Sequence, residues 1–238
     1  SRSGGSNGIG FAIPGNLVRQ VVNSAAGGQD MVRRPWIGVQ GTSVTSDIAS
    51  AVGLDRPVGA IVGQLYPKGP AARAGIREGD VILSIAGQDI FDAEALRYRP
   101  ATRSAGEQVG VTYLRDGRER TTLVKLEYPP EDPKRDETKL EGQHPFSGAT
   151  IANLSPALAE EIGYSPMVSG VVILETERSS YASRYRLGRG VRLLSVNGEK
   201  IDTVRDAKRV FATPQRVYQL QLGDRNGRVS TYTLRFGR

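Results

Sequence analysis

One sequence unit occurs twice in this chain of 238 residues, and the repeat limits the folds available to it. The first copy, residues 69–90, reads GPAARAGIREGDVILSIAGQDI, and residues 180–201 are a weaker version of it. Matching residues recur at a constant separation of 111, namely Gly79 and Gly190, Ser84 and Ser195, Gly87 and Gly198, and Ile90 and Ile201. This separation predicts two modules of about 100 residues each.

The repeated unit has the pattern of a small-residue helical turn, a strand and a tight hairpin. In the first copy the helical turn ends at Gly75, and an apolar strand from Val81 to Ile85 stops at Ala86-Gly87. A hydrophobic fraction of 38% with 29 Gly and 13 Pro suits a turn-rich β protein better than a helical bundle. The sequence therefore predicts a mainly β fold with short helices.

The first copy resembles the core of a bacterial, circularly permuted PDZ domain. The resemblance lies in Gly-Pro-Ala-x-x-Ala-Gly-Ile-x-x-Gly-Asp-x-Ile, followed by a strand and an x-Gly-x-x-Ile turn. The second copy departs from this pattern, because Ser180 to Arg184 replaces the Pro-Ala-Ala run and Val191 replaces Asp80. The resemblance implies two PDZ-like, partly open β-barrels or sandwiches in tandem.

The start of the chain carries a second resemblance. Residues 3–14, SGGSNGIGFAIP, are similar to the end of the protease domain in HtrA, or Do-like (Deg), serine proteases, including the DegP/DegQ-like members. In that family this segment forms a wall of the primary specificity pocket, and its counterparts here are Ser6, Asn7 and Ile9. The resemblance implies that the catalytic His, Asp and Ser would precede Ser1, so this chain by itself is expected to be inactive.

The family resemblance and the composition together predict four segments. Residues 1–28 correspond to the terminal strand and helix of a chymotrypsin-like protease domain and a hinge, and residues 29–128 to a first PDZ domain. Residues 129–143 have the proline and alternating charges of a linker, and residues 144–238 correspond to a second PDZ domain.

Trp36-Ile37-Gly38-Val39 resembles the loop that receives a peptide's C-terminal carboxylate in the family. A carboxylate at a sheet edge needs several converging backbone N–H groups, and a glycine lets the backbone approach closely. The alternative is that Trp36 and Ile37 are only core residues that open a strand.

A helix capped by Asp92 is predicted to form the other wall of the groove, with Leu96 as its apolar contact. Pro100 is expected to end or kink that helix within a turn, leaving the wall short or widened.

The second module has a matching set of candidate residues. Gly148 lies 110 residues after Gly38, which makes Phe146, Gly148 and Ala149 the second carboxylate loop. Val210 is the candidate contact on the second groove helix.

Composition argues against several other classes of site. The chain has no cysteine and one histidine, His144, so we expect no disulfide, metal site, cofactor or catalytic base. The net charge of +7 is spread singly along the chain without an aromatic and basic motif, which argues against nucleic-acid binding. No apolar run approaches the ~20 residues of a membrane span.

The leading hypothesis is peptide recognition, in which an extended chain end adds as a strand beside a PDZ domain. The resemblance implies a periplasmic protein that presents unfolded or C-terminal peptides to its protease domain, or activates that domain, within a homo-oligomer of trimers or their multiples. The alternative is a structural module that holds protomers of a cage together and binds no peptide. Retention of Asp80 in one copy and its loss in the other favours a first domain that binds and a second that assembles.

Overall fold

The computed structural model describes residues 33–236, and the chain divides between Tyr128 and Pro129 into two compact units. Each unit is built on its own antiparallel β-sheet with short helices, which confirms the predicted fold class. The segment that resembles the end of a protease domain, with Ser6, Asn7 and Ile9, lies outside the described residues.

Within residues 33–128, the first unit contains a sheet of six strands and three short helices. Its strands are β1 (Val39–Ser43), β2 (Ala60–Leu65), β3 (Val81–Ile85), β4 (Gln88–Asp89), β5 (Gln108–Arg115) and β6 (Arg118–Lys125). Its helices are α1 (Ser46–Val52), α2 (Pro70–Arg73) and α3 (Ala93–Ala101). The strand order is β1-β2-β3-β5-β6 with β4 paired to β3, so β1 lies at one end of the sheet.

Local sequence explains where these elements turn and stop. Ala86 and Gly87 both have positive φ, 52° and 72°, the backbone that a two-residue hairpin requires, and Asp116-Gly117 repeats it between β5 and β6. Asp92 caps α3 by accepting the Ala95 N–H at 2.6 Å. The helix ends at Ala101, one residue after Pro100, as expected, but at nine residues it is not short.

A buried ion pair joins the turn before β3 to the last residue of β5 in the first unit. Asp80, 1% exposed, accepts from Nε and from a terminal nitrogen of Arg115, each at 2.7 Å, and also from the Arg77 N–H at 2.7 Å. The bonded carboxylate raises the pKa of Arg115. The aspartate of the repeated motif thus closes the turn that leads into β3.

The second unit repeats this architecture with one additional strand. Its strands are β7 (Thr138–Lys139), β8 (Ala149–Asn153), β9 (Val171–Thr176), β10 (Arg192–Val196), β11 (Glu199–Lys200), β12 (Val217–Gly223) and β13 (Val229–Arg235). Its helices are α4 (Pro156–Glu161), α5 (Tyr181–Arg184) and α6 (Val204–Phe211). The order is β13-β12-β10-β9-β8-β7 with β11 paired to β10.

The extra strand comes from the segment predicted to be a linker. β7 pairs with β8, and Leu140 beside it is 4% exposed within the apolar core of the second unit. Residues 129–143 have the composition of a linker, yet part of the segment is folded. The physical reason is that a strand edge and an apolar pocket lie within its reach.

Candidate functional site

The candidate site of the first unit is a groove between β1 and α3. Within residues 33–236, β2 is the one strand that pairs with β1, on its inner side. The start of α3 is held to β1 because the Ala93 N–H donates to Ser43 Oγ at 3.1 Å. A strand edge that faces a helix in this way can accept an extended peptide.

The loop before β1 turns its carbonyl groups into the protein. Trp36, Ile37 and Gly38 accept from Glu127, Ala71 and Tyr66, respectively, with N···O distances of 3.4, 2.9 and 2.9 Å. Within the described residues, the N–H groups of Ile37 and Gly38 meet no hydrogen-bond acceptor. Two backbone donors at the end of a groove can bind an anion such as a carboxylate.

Val39 continues this line of donors along β1. It faces Leu65 across the β1–β2 pair, and the Tyr66 N–H donates to the Gly38 carbonyl. In this register Val39 belongs to a non-hydrogen-bonded pair, so its own N–H and C=O point to the outer edge of the sheet. The loop and the strand therefore present consecutive main-chain groups to the groove.

Gly38 is required by the backbone conformation of the loop. Its φ is +74°, and a methyl group there would lie 3.3 Å from Pro70 Cδ and 3.5 Å from Tyr66 Cβ. The Gly69-Pro70 turn of the repeated motif thus supports the loop from behind. A side chain at Gly38 would be strained and would displace the neighbouring N–H groups.

The side chains of Trp36 and Ile37 serve the core. Ile37 is 2% exposed, and the half-buried Trp36 ring packs on Tyr66 at a centroid distance of 5.4 Å. Both interpretations made from the sequence are therefore compatible with the structure, because the side chains pack in the core and the N–H groups of Ile37 and Gly38 meet no acceptor within the described residues.

Leu96 lies on the groove helix as expected but is deeply packed. It is 3% exposed, and a methyl group on Gly41 of β1 would lie 3.0 Å from its Cδ2 atom. Leu96 thus holds the helix against β1 in this structure, and an apolar peptide side chain would reach it only if the groove widened.

The second unit brings its four candidate residues together around Leu140. Phe146 and Ala149 are fully buried, Val210 is 8% exposed, and the Gly148 N–H donates to the Leu140 carbonyl at 2.8 Å. Leu140 was missed from the sequence because it lies in a charged, proline-rich stretch. The signal that could have found it is the single apolar residue in that stretch.

His144 is a core residue of the second unit. It is 2% exposed, stacks on Phe211 at 4.5 Å, and has its Nε2 3.2 Å from the Glu141 carbonyl oxygen. Burial lowers the pKa of the imidazole. Across the described residues no group of three His, Cys, Asp or Glu side chains could hold a metal ion.

The chain is similar in sequence to several known proteins. Residues 35–126 match the PDZ domain family. The chain is 34% identical over 218 residues to a probable periplasmic serine endoprotease DegP-like of Bartonella henselae, covering 91% of this chain and 42% of that protein. It is 31% identical over 232 residues to a probable periplasmic serine protease do/HhoA-like of Haemophilus influenzae, covering 95% and 46%.

Residues 35–126 belong to the PDZ domain family, and the chain is similar to HtrA/DegP-like proteins over most of its length. It spans less than half the length of the curated relatives it matches. Those relatives are named as periplasmic, which confirms the location predicted from the sequence, and no helix in residues 33–236 is long and apolar enough to cross a membrane. A solved structure, the HtrA-type protease AlgW with decapeptide, is 37% identical and covers 55% of this chain and 40% of its own, with a TM-score of 0.42.

Proposed function

We propose that the first PDZ unit of this HtrA/DegP-like chain binds C-termini or extended segments of unfolded proteins by strand addition to β1. The ligand strand would bond to the outward N–H and C=O groups of Val39, and its last apolar side chain would enter the groove beside α3. PDZ domains bind peptides in this way as a class.

The observation that carries the proposal is the pair of N–H groups at Ile37 and Gly38, which meet no acceptor within the described residues. They lie next to the outward-facing Val39, so a carboxylate at the end of an added strand would meet them directly. Binding of such a peptide in the micromolar range corresponds to about 8 kcal/mol.

We infer that peptide binding here presents substrates to a serine protease domain of the parent protein, or activates that domain. This inference is supported by the names of relatives that match 91% and 95% of this chain. A homo-oligomer, a trimer or a multiple of trimers, would join several such sites and increase the overall affinity without new contacts.

Fluorescence anisotropy with a labelled, apolar-ended peptide tests the proposal. The free acid is expected to bind, and the same peptide with an amidated end is expected to bind at least tenfold more weakly, because the amide carries no charge. Equal binding of both peptides would refute the carboxylate mechanism, and no binding of either would refute peptide recognition by this chain.

Gly38→Ala gives a variant test, with Gly53→Ala as the matched control. Both glycines have positive φ, +74° and +80°, but a methyl group at Gly53, the residue that ends α1, meets no atom within 4 Å. Both variants are expected to lose some stability, and only Gly38→Ala is expected to lose peptide affinity. Retention of full affinity by Gly38→Ala would contradict the role of the loop.

A further inference from the structure

The outer edge of β8 in the second unit already carries a strand of the same chain. Thr138 and Lys139 of β7 face Ile151 and Thr150 in an antiparallel register. The Leu140 N–H then donates to the Ala149 carbonyl at 2.9 Å, and the Gly148 N–H donates to the Leu140 carbonyl at 2.8 Å. Both the N–H and the C=O group of Leu140 are therefore hydrogen-bonded, to Ala149 and Gly148 respectively.

This edge corresponds to the proposed peptide edge of the first unit. The Glu177 N–H donates to the Gly148 carbonyl at 2.8 Å, as the Tyr66 N–H does to Gly38, and the Ala182 N–H donates to the Ser147 carbonyl, as Ala71 does to Ile37. β8 is thus the counterpart of β1, and the loop before it is the counterpart of the loop at Gly38.

Leu140 occupies the place of a ligand's last residue in this second groove. Its side chain is 4% exposed and belongs to the core cluster that contains Phe146 and Val210. Its carbonyl oxygen is bonded to the Gly148 N–H, where a terminal carboxylate would be received. The neighbouring N–H groups of Ser147 and Ala149 donate to the carbonyls of His144 and Phe146, so these donors of the loop are also occupied.

The segment before β7 is fixed to the same sheet and helix. The Asn153 N–H and Nδ2 donate to the carbonyls of Arg135 and Lys134 at 2.7 and 2.9 Å. The Arg135 side chain bonds Glu131 at 2.7 Å and Glu161 of α4 at 2.6 Å, and these carboxylates raise its pKa. The chain is therefore held from residue 134 to residue 140.

We propose that residues 134–140 are an intramolecular ligand of the second PDZ-like unit, which closes its groove to external peptides. The proposal rests on the proposed function in that it treats β8 as the counterpart of the peptide-binding edge β1. A short tether gives an effective concentration of about millimolar, so an external peptide making the same contacts would not displace the segment at micromolar concentration.

Hydrogen–deuterium exchange of β8 in the full chain tests the proposal with two probes. The first probe is a synthetic heptapeptide with the sequence of residues 134–140, KRDETKL, and a free carboxylate, at about 100 μM, well below the millimolar effective concentration of a tethered segment. The second is the apolar-ended peptide described above. In the unaltered chain, β8 amides are expected to be protected without peptide and to be unchanged by either probe.

Adjacent proline variants provide a matched pair. Hydrogen-bonded and non-hydrogen-bonded residues alternate along an antiparallel pair of strands. The Thr138 N–H therefore donates to the Ile151 carbonyl, as the Leu140 N–H does to Ala149, whereas the Lys139 N–H points away from β8. Thr138→Pro removes a bond between β7 and β8 and is expected to lose β8 protection, which the heptapeptide restores. Lys139→Pro removes no such bond and is expected to behave as the unaltered chain.

Two results would overturn the proposal. One is added β8 protection by either probe in the unaltered chain, and the other is equal β8 protection in Thr138→Pro and Lys139→Pro. Loss of protection in β12 would identify a variant in which the whole second unit unfolds. In that case the result from the unaltered chain tests the proposal by itself. Failure of β1 to respond to the apolar-ended peptide would refute the proposed function of the first unit and leave the β8 result standing.

Discussion

Replacing Asp80 by asparagine is expected to destabilise the first unit strongly. The carboxylate is 1% exposed and receives two bonds from Arg115 and one from the Arg77 N–H, all at 2.7 Å. Asparagine has nearly the same size, but it carries no charge and presents only one acceptor oxygen. The substitution therefore leaves a guanidinium, with a side chain 16% exposed, without its counter-charge.

The magnitude follows from the burial of the pair. Removing one partner of a buried ion pair costs about 3–5 kcal/mol, and we expect about 3 kcal/mol here because Arg115 also donates to the Gly75 carbonyl and is partly solvated. For a unit of this size, 1 kcal/mol changes Tm by about 4–8 °C, so Tm should fall by about 12–24 °C.

Trp36 makes the measurement specific to the first unit. It is the one tryptophan of the chain and packs on Tyr66, so its fluorescence during urea or thermal unfolding follows the first unit alone. The double variant Asp80→Asn with Arg115→Met is expected to recover part of the loss, because it removes the unpaired charge. A loss below about 1 kcal/mol for Asp80→Asn would match a surface ion pair and refute the reasoning.

Three further predictions concern packing, pH and capping. Gly41→Ala should destabilise the first unit by about 1–3 kcal/mol in Trp36 fluorescence, because its methyl group would lie 2.6 Å from the Ile61 oxygen, whereas Gly63→Ala, with 3.8 Å to its nearest atom, should have little effect. Burial lowers the pKa of His144, so the free energy of unfolding of the second unit should be constant above about pH 6.5 and should fall below that pH. Unfolding followed by near-ultraviolet circular dichroism tests this, and the His144→Phe variant should show no such fall. Thr203→Ala should destabilise the second unit by about 1 kcal/mol in the same assay and Thr203→Ser much less, because Thr203 Oγ1 caps α6; equal losses in the two variants would refute the capping role.

Residues that act through local backbone geometry were predictable from the sequence. The Ala86-Gly87 turn was recognised because a positive φ selects glycine, and Asp92 was recognised as a cap because its carboxylate bonds within one helical turn. The length of α3 was less predictable. Pro100 ends the helix as expected, but it is the last residue but one, so the helix still has nine residues. The candidate loop at Gly38 came from the family resemblance, and its role as a binding site stays a prediction.

The sequence by itself determined the repeat, the mainly β class and the family, because these depend on turn residues and spacings that are local along the chain. The tertiary structure decided which strand edges are available. Composition describes residues 129–143 as a linker, and nothing local distinguishes a segment that remains in solvent from one that pairs with β8. That choice depends on an acceptor at Ala149, a donor at Gly148 and an apolar pocket for Leu140, which come together only when the sheet is folded.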